Sequence, residues 1–178
     1  MGGRRIEYGG CSFIPPAGFV VQEKGSYVSS NTSTGAELFD RRKSPLCITL
    51  VSTAVHSDVP DFSESPESMN PDAYPVTLTL NTFVAHFTAS ALDYLRSTGV
   101  ELGKHFSAFK TDFCEKATVG EFPAARAQYS LVTNFRILQL HYAWLVSSML
   151  ITATMTVTES GSARGWVDLQ NFVESVTI

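Results

Sequence analysis

The sequence contains few cysteines, and their spacing forms no recognisable site. Cys11, Cys47 and Cys114 form no CxxC pair and are too few for a disulfide framework, which indicates a reducing compartment. Cys47 lies inside the apolar run 46–51, so we interpret it as a buried, unreactive thiol.

The sequence also lacks a large excess of one charge and lacks long apolar runs. The formal net charge is −4, and the basic residues are scattered apart from Arg4, Arg5 and the run 41–43, so no basic stripe is present to follow a phosphate backbone. No window approaches the roughly 18 apolar residues that span a bilayer, and residues 1–10 lack the apolar core of a secretory signal. We therefore expect a cytoplasmic protein that does not span a membrane and does not bind nucleic acid.

Catalytic and metal-binding signatures are missing as well. The four histidines, His56, His86, His105 and His141, match no zinc spacing and have no HExxH or Cys/His cluster beside them. The adjacent residues of the segment 56–58, His-Ser-Asp, cannot form a triad, because its members must come from separate parts of a fold. We expect no catalytic residue, no metal and no cofactor.

What the sequence does contain is clear periodicity in its last third. The chain has 178 residues, 44% of them hydrophobic, and a mean hydropathy of +0.05, which fits one domain with one substantial core. Residues 122–131, 135–145 and 149–158 alternate with period two, and residues 163–176 have helical spacing. This order predicts an antiparallel meander closed by a helix.

The alternation also predicts how the meander faces. One face is expected to be the core under the last helix, which contributes Trp166, Leu169, Val173 and Val176. The predicted core positions of the three strands are Ala125, Ala127, Tyr129, Leu131, Leu138, Leu140, Tyr142, Trp144, Ile151, Ala153, Met155 and Val157. The opposite face is expected to be polar and weakly charged. Its predicted members are Arg126, Gln128, Ser130, Gln139, His141, Thr152, Thr154 and Thr156.

The earlier part of the chain predicts short strands and one more helix. We expect a Pro-Pro-Ala-Gly turn at 15–18, and Leu46–Ala54 as a central strand covered on both faces. Further strands are predicted at 19–23, 26–30, 36–40 and 109–114. A helix capped by Asn81 or Thr82 should run to residue 98 and end at Gly99. Residues 56–76, rich in proline, serine and acidic residues, predict a long surface loop.

Three segments resemble the PsbP-like and DcrB-like α/β/α sandwich proteins. Residues 13–19 resemble the F-x-x-P-x-G-W/F start of that group, through Phe13, Pro15 or Pro16, Gly18 and Phe19. Residues 119–127 resemble its G-x-P-A entry to the final strands, and the closing helix fits its order of elements. The resemblance implies an α/β (α+β) sandwich with a mainly antiparallel sheet. It also implies a role in binding proteins, since most members catalyse nothing.

Within that group the chain most resembles the cytoplasmic DcrB-related branch, some of whose members resemble chaperones of type VI secretion effectors. We therefore expect an adaptor or chaperone whose partner is a protein, with an apolar helix of a secreted effector as one option and a symmetric homodimer as another. The expected partner-binding residues are Gln128, Gln139, His141, Thr152 and Thr154. A competing hypothesis is that the helix at 82–98 covers this face.

Two other functions stay open on the sequence alone. One is a photosystem II PsbP-like or envelope subunit whose targeting peptide has been removed. The other is a small-ligand binder or enzyme with a pocket under the 56–76 loop, using Asp58, Asp61 or His56.

Overall fold

The structure is a computed structural model, and it describes residues 4–8, 11–25, 39–40, 46–52, 76–85, 90–132 and 136–178. Within these residues the chain forms ten strands and two α-helices. The strands are β1 (Ile6–Tyr8), β2 (Cys11–Phe13), β3 (Phe19–Gly25), β4 (Phe39–Asp40), β5 (Leu46–Ser52), β6 (Thr77–Ala85), β7 (Phe109–Val119), β8 (Phe122–Val132), β9 (Arg136–Val146) and β10 (Met149–Thr158). The helices are α1 (Ala91–His105) and α2 (Ser162–Ser175).

The fold is an α+β sandwich, as the sequence predicted. The main sheet has the order β3-β5-β6-β10-β9-β8-β7, with β4 paired to the end of β6, and its strand pairs are antiparallel. Helix α1 packs on one face, against β7, β8 and β9, while α2 packs on the other, against β9, β10 and β2. Helices therefore lie on both faces of the sheet.

The predicted meander and its closing helix are confirmed. The three strands begin and end within one or two residues of the predicted bounds, and α2 follows a single 3-10 turn, Glu159–Gly161. Tight turns join the strands: Gly120, between β7 and β8, has a φ of +56°, and Ser147, between β9 and β10, has a φ of 54°. Glycine adopts this left-handed conformation without steric cost.

The helix predicted at 82–98 is wrong in position. Residues Thr77–Ala85 form strand β6, and the helix begins only after Ser90, whose side chain accepts a hydrogen bond from the Asp93 backbone N–H. Residues 77–80 alternate threonine with leucine, a period-two pattern that favours a strand once β5 and β10 offer partners on both sides. Gly99 is therefore not a helix stop, since α1 continues to His105.

The amino-terminal predictions are met in part where the structure describes them. Gly18 has a φ of +81° in the predicted turn, and β3 begins at Phe19. Strand β5 has neighbours on both sides but lies second from one edge, so it is not central. The predicted strand at 26–30 lies outside the described residues, as do residues 56–75 of the predicted loop, and only the last two residues of the 36–40 strand are described.

Two apolar cores lie on opposite faces of the sheet. The core under α2 is the larger and includes Leu78, Leu80, Leu140, Trp144, Met155, Leu169 and Phe172. The core under α1 contains smaller side chains around two buried tyrosines, and its members are Ala91, Tyr94, Leu95, Ala125, Ala127, Tyr129, Ala143 and Leu150. Each core is thus closed by one helix.

The amino-terminal strand pair β1–β2 is joined to the chain beyond α2. Ser12 and Thr177 exchange two backbone hydrogen bonds of 2.8 Å. Arg5 Nη1 donates to Ser12 Oγ at 2.8 Å, and the Phe13 and Phe172 rings meet edge to face at 5.5 Å. Residues near the two ends of the sequence therefore form one structural unit against α2.

Glycines set how closely both helices approach the sheet. A Cβ at Gly165 of α2 would lie 3.0 Å from Val157 Cγ1 and 3.1 Å from Leu140 Cδ1. A Cβ at Gly99 of α1 would lie 3.1 Å from Tyr129 Cε1. Helix propensity alone would favour alanine at either position, so close packing explains why glycine is suited there.

None of the helices in the described part of the chain has the length and apolar character that crossing a bilayer requires.

We expect Gly165→Ala to destabilise the protein. Crowding of Val157 and Leu140 should cost about 1–3 kcal/mol, against a gain in helix propensity of up to about 1 kcal/mol, and urea unfolding measures the net loss. Gly103→Ala is the matched control, because its Cβ would meet only the Phe109 ring, at 3.3 Å. A Gly165→Ala protein as stable as the parent would contradict the close-packing argument.

Candidate functional site

The two faces of the sheet differ in chemistry along the same strands. On the α2 face, β6 and β10 present Leu78, Leu80, Ile151, Ala153 and Met155, all fully buried. On the α1 face the same two strands, together with Thr49 of β5, present mostly threonines. We call this surface the threonine face; its residues are Thr49, Thr77, Thr79, Asn81, Thr152, Thr154 and Thr156.

Register aligns one row of the threonine face across three strands. Thr49 of β5 is opposite Thr79 of β6, which is opposite Thr154 of β10, and Thr154 is opposite His141 of β9. Of the face's members, Thr152 is buried and the others are partly exposed. Because α1 packs mainly on β7, β8 and β9, the threonine face continues the sheet surface beside that helix.

His141 marks the boundary between the α1 core and the threonine face. It is 6% exposed, its Nδ1 lies 3.1 Å from Thr154 Oγ1, and its ring meets the Tyr129 ring edge to face at 4.9 Å. Its Nε2 lies 3.3 Å from Gln139 Oε1. Since that amide oxygen only accepts, the proton belongs on Nε2, and Nδ1 accepts from the threonine hydroxyl. Burial lowers the pKa of His141 to about 3, so the ring is neutral at physiological pH.

Tyr129 joins this boundary to α1. Its hydroxyl donates to the Leu95 carbonyl oxygen of α1, and its ring also contacts Phe109 at 5.6 Å. Burial is the main cause that raises the pKa of Tyr129 above its ordinary value. The α1 side of the boundary is thus fixed by a buried hydrogen bond between helix and sheet.

The structure brings together four of the five predicted partner-binding residues. Gln139, His141, Thr152 and Thr154 share the α1 face, on adjacent strands. Gln128 lies on the opposite face, where its Oε1 accepts from Trp166 Nε1 at 3.0 Å. The predicted set is therefore divided by the sheet.

The division follows from a wrong prediction of facing for β8. Ala127 is paired with His141, and Tyr129 with Gln139, so the alternating apolar positions of β8 lie on the α1 face and not under α2. Both faces of β8 are covered, so its own alternation does not reveal which face joins which core. Pairing with β9 decides this.

The Gln128 side of β8 carries a polar network that the sequence did not predict. Gln128 Nε2 donates to Asp112 Oδ2 at 3.0 Å, the Ser130 hydroxyl donates to the same oxygen, and Lys110 Nζ lies 3.1 Å from Oδ1. Burial raises the pKa of Asp112, but the hydrogen bonds from Ser130 and Gln128 and the charge of Lys110 outweigh it, so the pKa lies below its ordinary value. Asp112 sits at a register shift in β7, which alternation alone does not reveal.

Aromatic contacts extend this network to α2. Trp166 stacks on Phe113 with centroids 5.6 Å apart and meets Tyr142 edge to face at 5.8 Å. The guanidinium carbon of Arg126 lies 5.8 Å from the Phe113 centroid, and its Nε donates to Glu115 at 2.8 Å. Each group in the network has partners within the chain, so its role is to anchor edge strand β7 to α2.

The concave regions lined by described residues include a cavity and a groove. A cavity of about 490 Å³ lies where β10 runs into α2, and Ser52 and Val76, which flank the segment 53–75, contribute to its lining with the ion pair Arg164–Asp168. A groove of about 500 Å³ lies beside the β7–β8 turn. His56, Asp58 and Asp61, predicted for a pocket under the loop, lie outside the described residues. Within the described ranges, no cluster of histidine, cysteine and acidic side chains could hold a metal ion.

Comparison with known proteins identifies the fold. No protein-family model matches the sequence, and no curated protein matches it by sequence. LpqN of Mycobacterium tuberculosis, involved in cell envelope biogenesis, is similar in structure with a TM-score of 0.57 and 14% identity, covering 94% of this chain and 82% of LpqN.

Two further solved structures are similar over nearly the whole chain. The Ran-binding protein Mog1p of Saccharomyces cerevisiae has a TM-score of 0.57 and 11% identity, covering 100% of this chain and 96% of that one. PsbP (CyanoP) of the cyanobacterium Synechocystis has a TM-score of 0.52 and 12% identity, covering 98% of this chain and 91% of PsbP. The chain therefore has a PsbP/Mog1-like fold.

We expect His141 to make stability depend on pH. Its folded pKa of about 3 lies below the ordinary value near 6.5 of an unfolded chain, so the unfolded state binds the extra proton between these values. The stabilisation is complete above about pH 6.5 and is lost as pH falls towards 3. Between pH 7 and pH 5 this amounts to about 2 kcal/mol. Urea unfolding measures the free energy of unfolding at both pH values. The difference between pH 7 and pH 5 should be smaller for His141→Gln than for the parent, and equal differences would contradict this account.

Proposed function

We propose that this protein is a non-catalytic cytoplasmic protein-binding module, an adaptor or chaperone, whose threonine face receives an uncharged helix of a partner protein. The observation that carries this proposal is the contrast between the two faces of β6 and β10. One face is buried and apolar apart from Thr82, whereas the other presents methyl and hydroxyl groups at neighbouring positions.

A sheet face that carries hydroxyl groups can be hydrated when it is free and can be covered when a partner protein binds. A face closed permanently by its own helix is expected to be apolar, as it is under α2. Threonine keeps a hydrogen-bonding group for water and a methyl group for packing. The threonine face therefore suits a partner that binds after folding is complete.

The charge of the face favours an uncharged partner. Its seven members and the adjacent Gln139 and His141 include no acid or permanent base, and burial keeps His141 neutral. A strongly charged segment would lose its hydration there without gaining a counter-charge. An apolar or weakly polar helix would not pay that penalty.

The dimensions of the face fit one helix. Strands β10, β6 and β5 are adjacent, and three strands spaced about 4.8 Å apart accommodate a helix about 10 Å in diameter. Such a helix would lie beside α1 and complete a second helical layer. This placement agrees with the cradling of apolar helices that the resemblance to DcrB-related effector chaperones implies.

Other observations support parts of the proposal. The fold shared with Mog1p, a Ran-binding protein, supports a role in binding proteins. Cys11 and Cys114 are free thiols, which supports a reducing compartment such as the cytoplasm. A symmetric homodimer built on the threonine face is the alternative occupant that the experiment below must separate.

Binding of a defined peptide tests the proposal. The probe is a labelled 18-residue helical peptide with an alanine–leucine face and a glutamine–serine face, and fluorescence anisotropy measures its affinity. We expect the double variant Thr154→Arg/Thr156→Arg to weaken binding at least tenfold, because two charges would be buried under the peptide. The matched control is Thr118→Arg/Val167→Arg, which places the same charges at exposed positions elsewhere.

The outcomes are distinct. Absence of peptide binding by the parent, or equal weakening by the control, would contradict the proposal. A parent dimer that Thr154→Arg/Thr156→Arg dissociates in sedimentation equilibrium would assign the face to a second copy of the chain.

Maleimide labelling tests whether the threonine face is accessible. We expect Thr154→Cys and Thr156→Cys to react above the background of the parent cysteines and to be protected by the peptide. Ala153→Cys, at a fully buried position of the same strand, is the unreactive control. If Thr154→Cys and Thr156→Cys were as unreactive as this control, the chain itself would cover the face and the proposal would fail.

A further inference from the structure

A groove of about 500 Å³ lies between the β7–β8 turn and the residues that follow α2. Trp144 and Val146 of β9 contribute apolar lining, and Phe122 and Ile178 line it while being 37% and 54% exposed. Its volume lies within the range of about 300–1,000 Å³ that is typical of pockets for small ligands. The groove thus combines exposed and buried apolar side chains in one concave surface.

Both walls of the groove are held by the surrounding fold. Thr177, in one wall, exchanges two backbone hydrogen bonds of 2.8 Å with Ser12 of β2. The other wall is the tight turn at Gly120, which joins two long paired strands. A surface fixed in this way loses little conformational freedom when it binds a ligand.

The charge lining the groove has one sign. Glu121 and Glu174 are its only ionisable side chains among the described lining residues, and both are exposed. No described lysine or arginine forms an ion pair with either carboxylate, and Glu174 accepts only a hydrogen bond from Gln170, at 3.1 Å, among the described contacts.

Glu174 also lies in the last turn of α2, which has no basic residue of its own, although Arg5 Nη1 donates to the Ser175 carbonyl oxygen at 3.2 Å. The carbonyl end of a helix has a partial negative charge, so an acid there is unfavourable on its own. Since Arg5 already offsets the carbonyl end of α2, the negative potential of the groove comes from the carboxylates of Glu121 and Glu174, and a bound cation would offset it.

We propose that this groove binds a short segment of a partner protein in which an arginine stands next to a bulky apolar side chain. The guanidinium group would reach the carboxylates and lie over the Phe122 ring, an arrangement that attracts cations to aromatic faces. The neighbouring apolar side chain would cover Trp144 and Ile178. This site is separate from the threonine face and does not depend on the function proposed for it.

Titration with two synthetic peptides tests the groove directly. The first is the acetylated, amidated tetrapeptide Leu-Arg-Phe-Gly, and the second replaces its arginine with glutamate. We expect the arginine peptide to shift backbone amide NMR signals of residues 119–122, 144–146 and 174–178, and the glutamate peptide to shift none of them. Arginine-peptide shifts spread over the surface, or equal shifts with both peptides, would overturn the proposal, as would absence of binding at millimolar peptide.

Charge-neutral variants separate the groove from general electrostatic attraction. The double variant Glu121→Gln/Glu174→Gln should weaken binding of the arginine peptide at least tenfold at low salt. The control Glu7→Gln/Glu159→Gln raises the net charge equally at exposed positions outside the groove, and its affinity should stay within twofold of the parent. Equal weakening by both double variants would leave only the overall charge as the cause and would overturn the proposal.

Discussion

The register of the paired strands β8, β9 and β10 governs which side chains meet on each face of the sheet. A shift of one residue would exchange the faces of a whole strand. With the observed pairing, Leu138, Leu140, Tyr142 and Trp144 point to the same side as Ile151, Ala153, Met155 and Val157. The remaining side receives alanines under α1 and threonines beyond it. The core of large side chains under α2, the core of smaller side chains under α1 and the threonine face all follow from this one alignment.

The two helices complete the sheet in different ways. Helix α2 closes a core of large side chains and is joined by Trp166 to edge strand β7 and, through Phe172, to the amino-terminal strand pair. Helix α1 lies over small side chains and is fixed by the buried Tyr129 hydroxyl. Because α1 covers only part of its face, recognition surfaces can form beside it without disturbing the larger core. The larger core thus lies on the side of the sheet opposite the threonine face.

Local periodicity predicted much of the fold, and the errors arose where tertiary pairing decides. The meander and α2 have unambiguous spacing, so their positions were predicted closely. Residues 82–85 could fit a helix stripe with Phe87 and Ala91, and only the neighbouring strands β4, β5 and β10 make them part of β6. Four members of the candidate site were predicted together, but Gln128 was placed on the wrong face. The two glutamates that line the groove, Glu121 and Glu174, are far apart in the sequence, and no sequence pattern marks them.

The bridge between Ser12 and Thr177 has a consequence for how the chain is made. These residues are separated by 165 positions in sequence, so strand β2 has no partner beyond α2 until almost the whole sheet has been synthesised. Contacts of such long range are formed late and slowly, and apolar side chains such as Phe13 remain uncovered meanwhile. A nascent chain would therefore expose the amino-terminal strand pair β1–β2 to other proteins in the cell for most of the time that it spends on the ribosome.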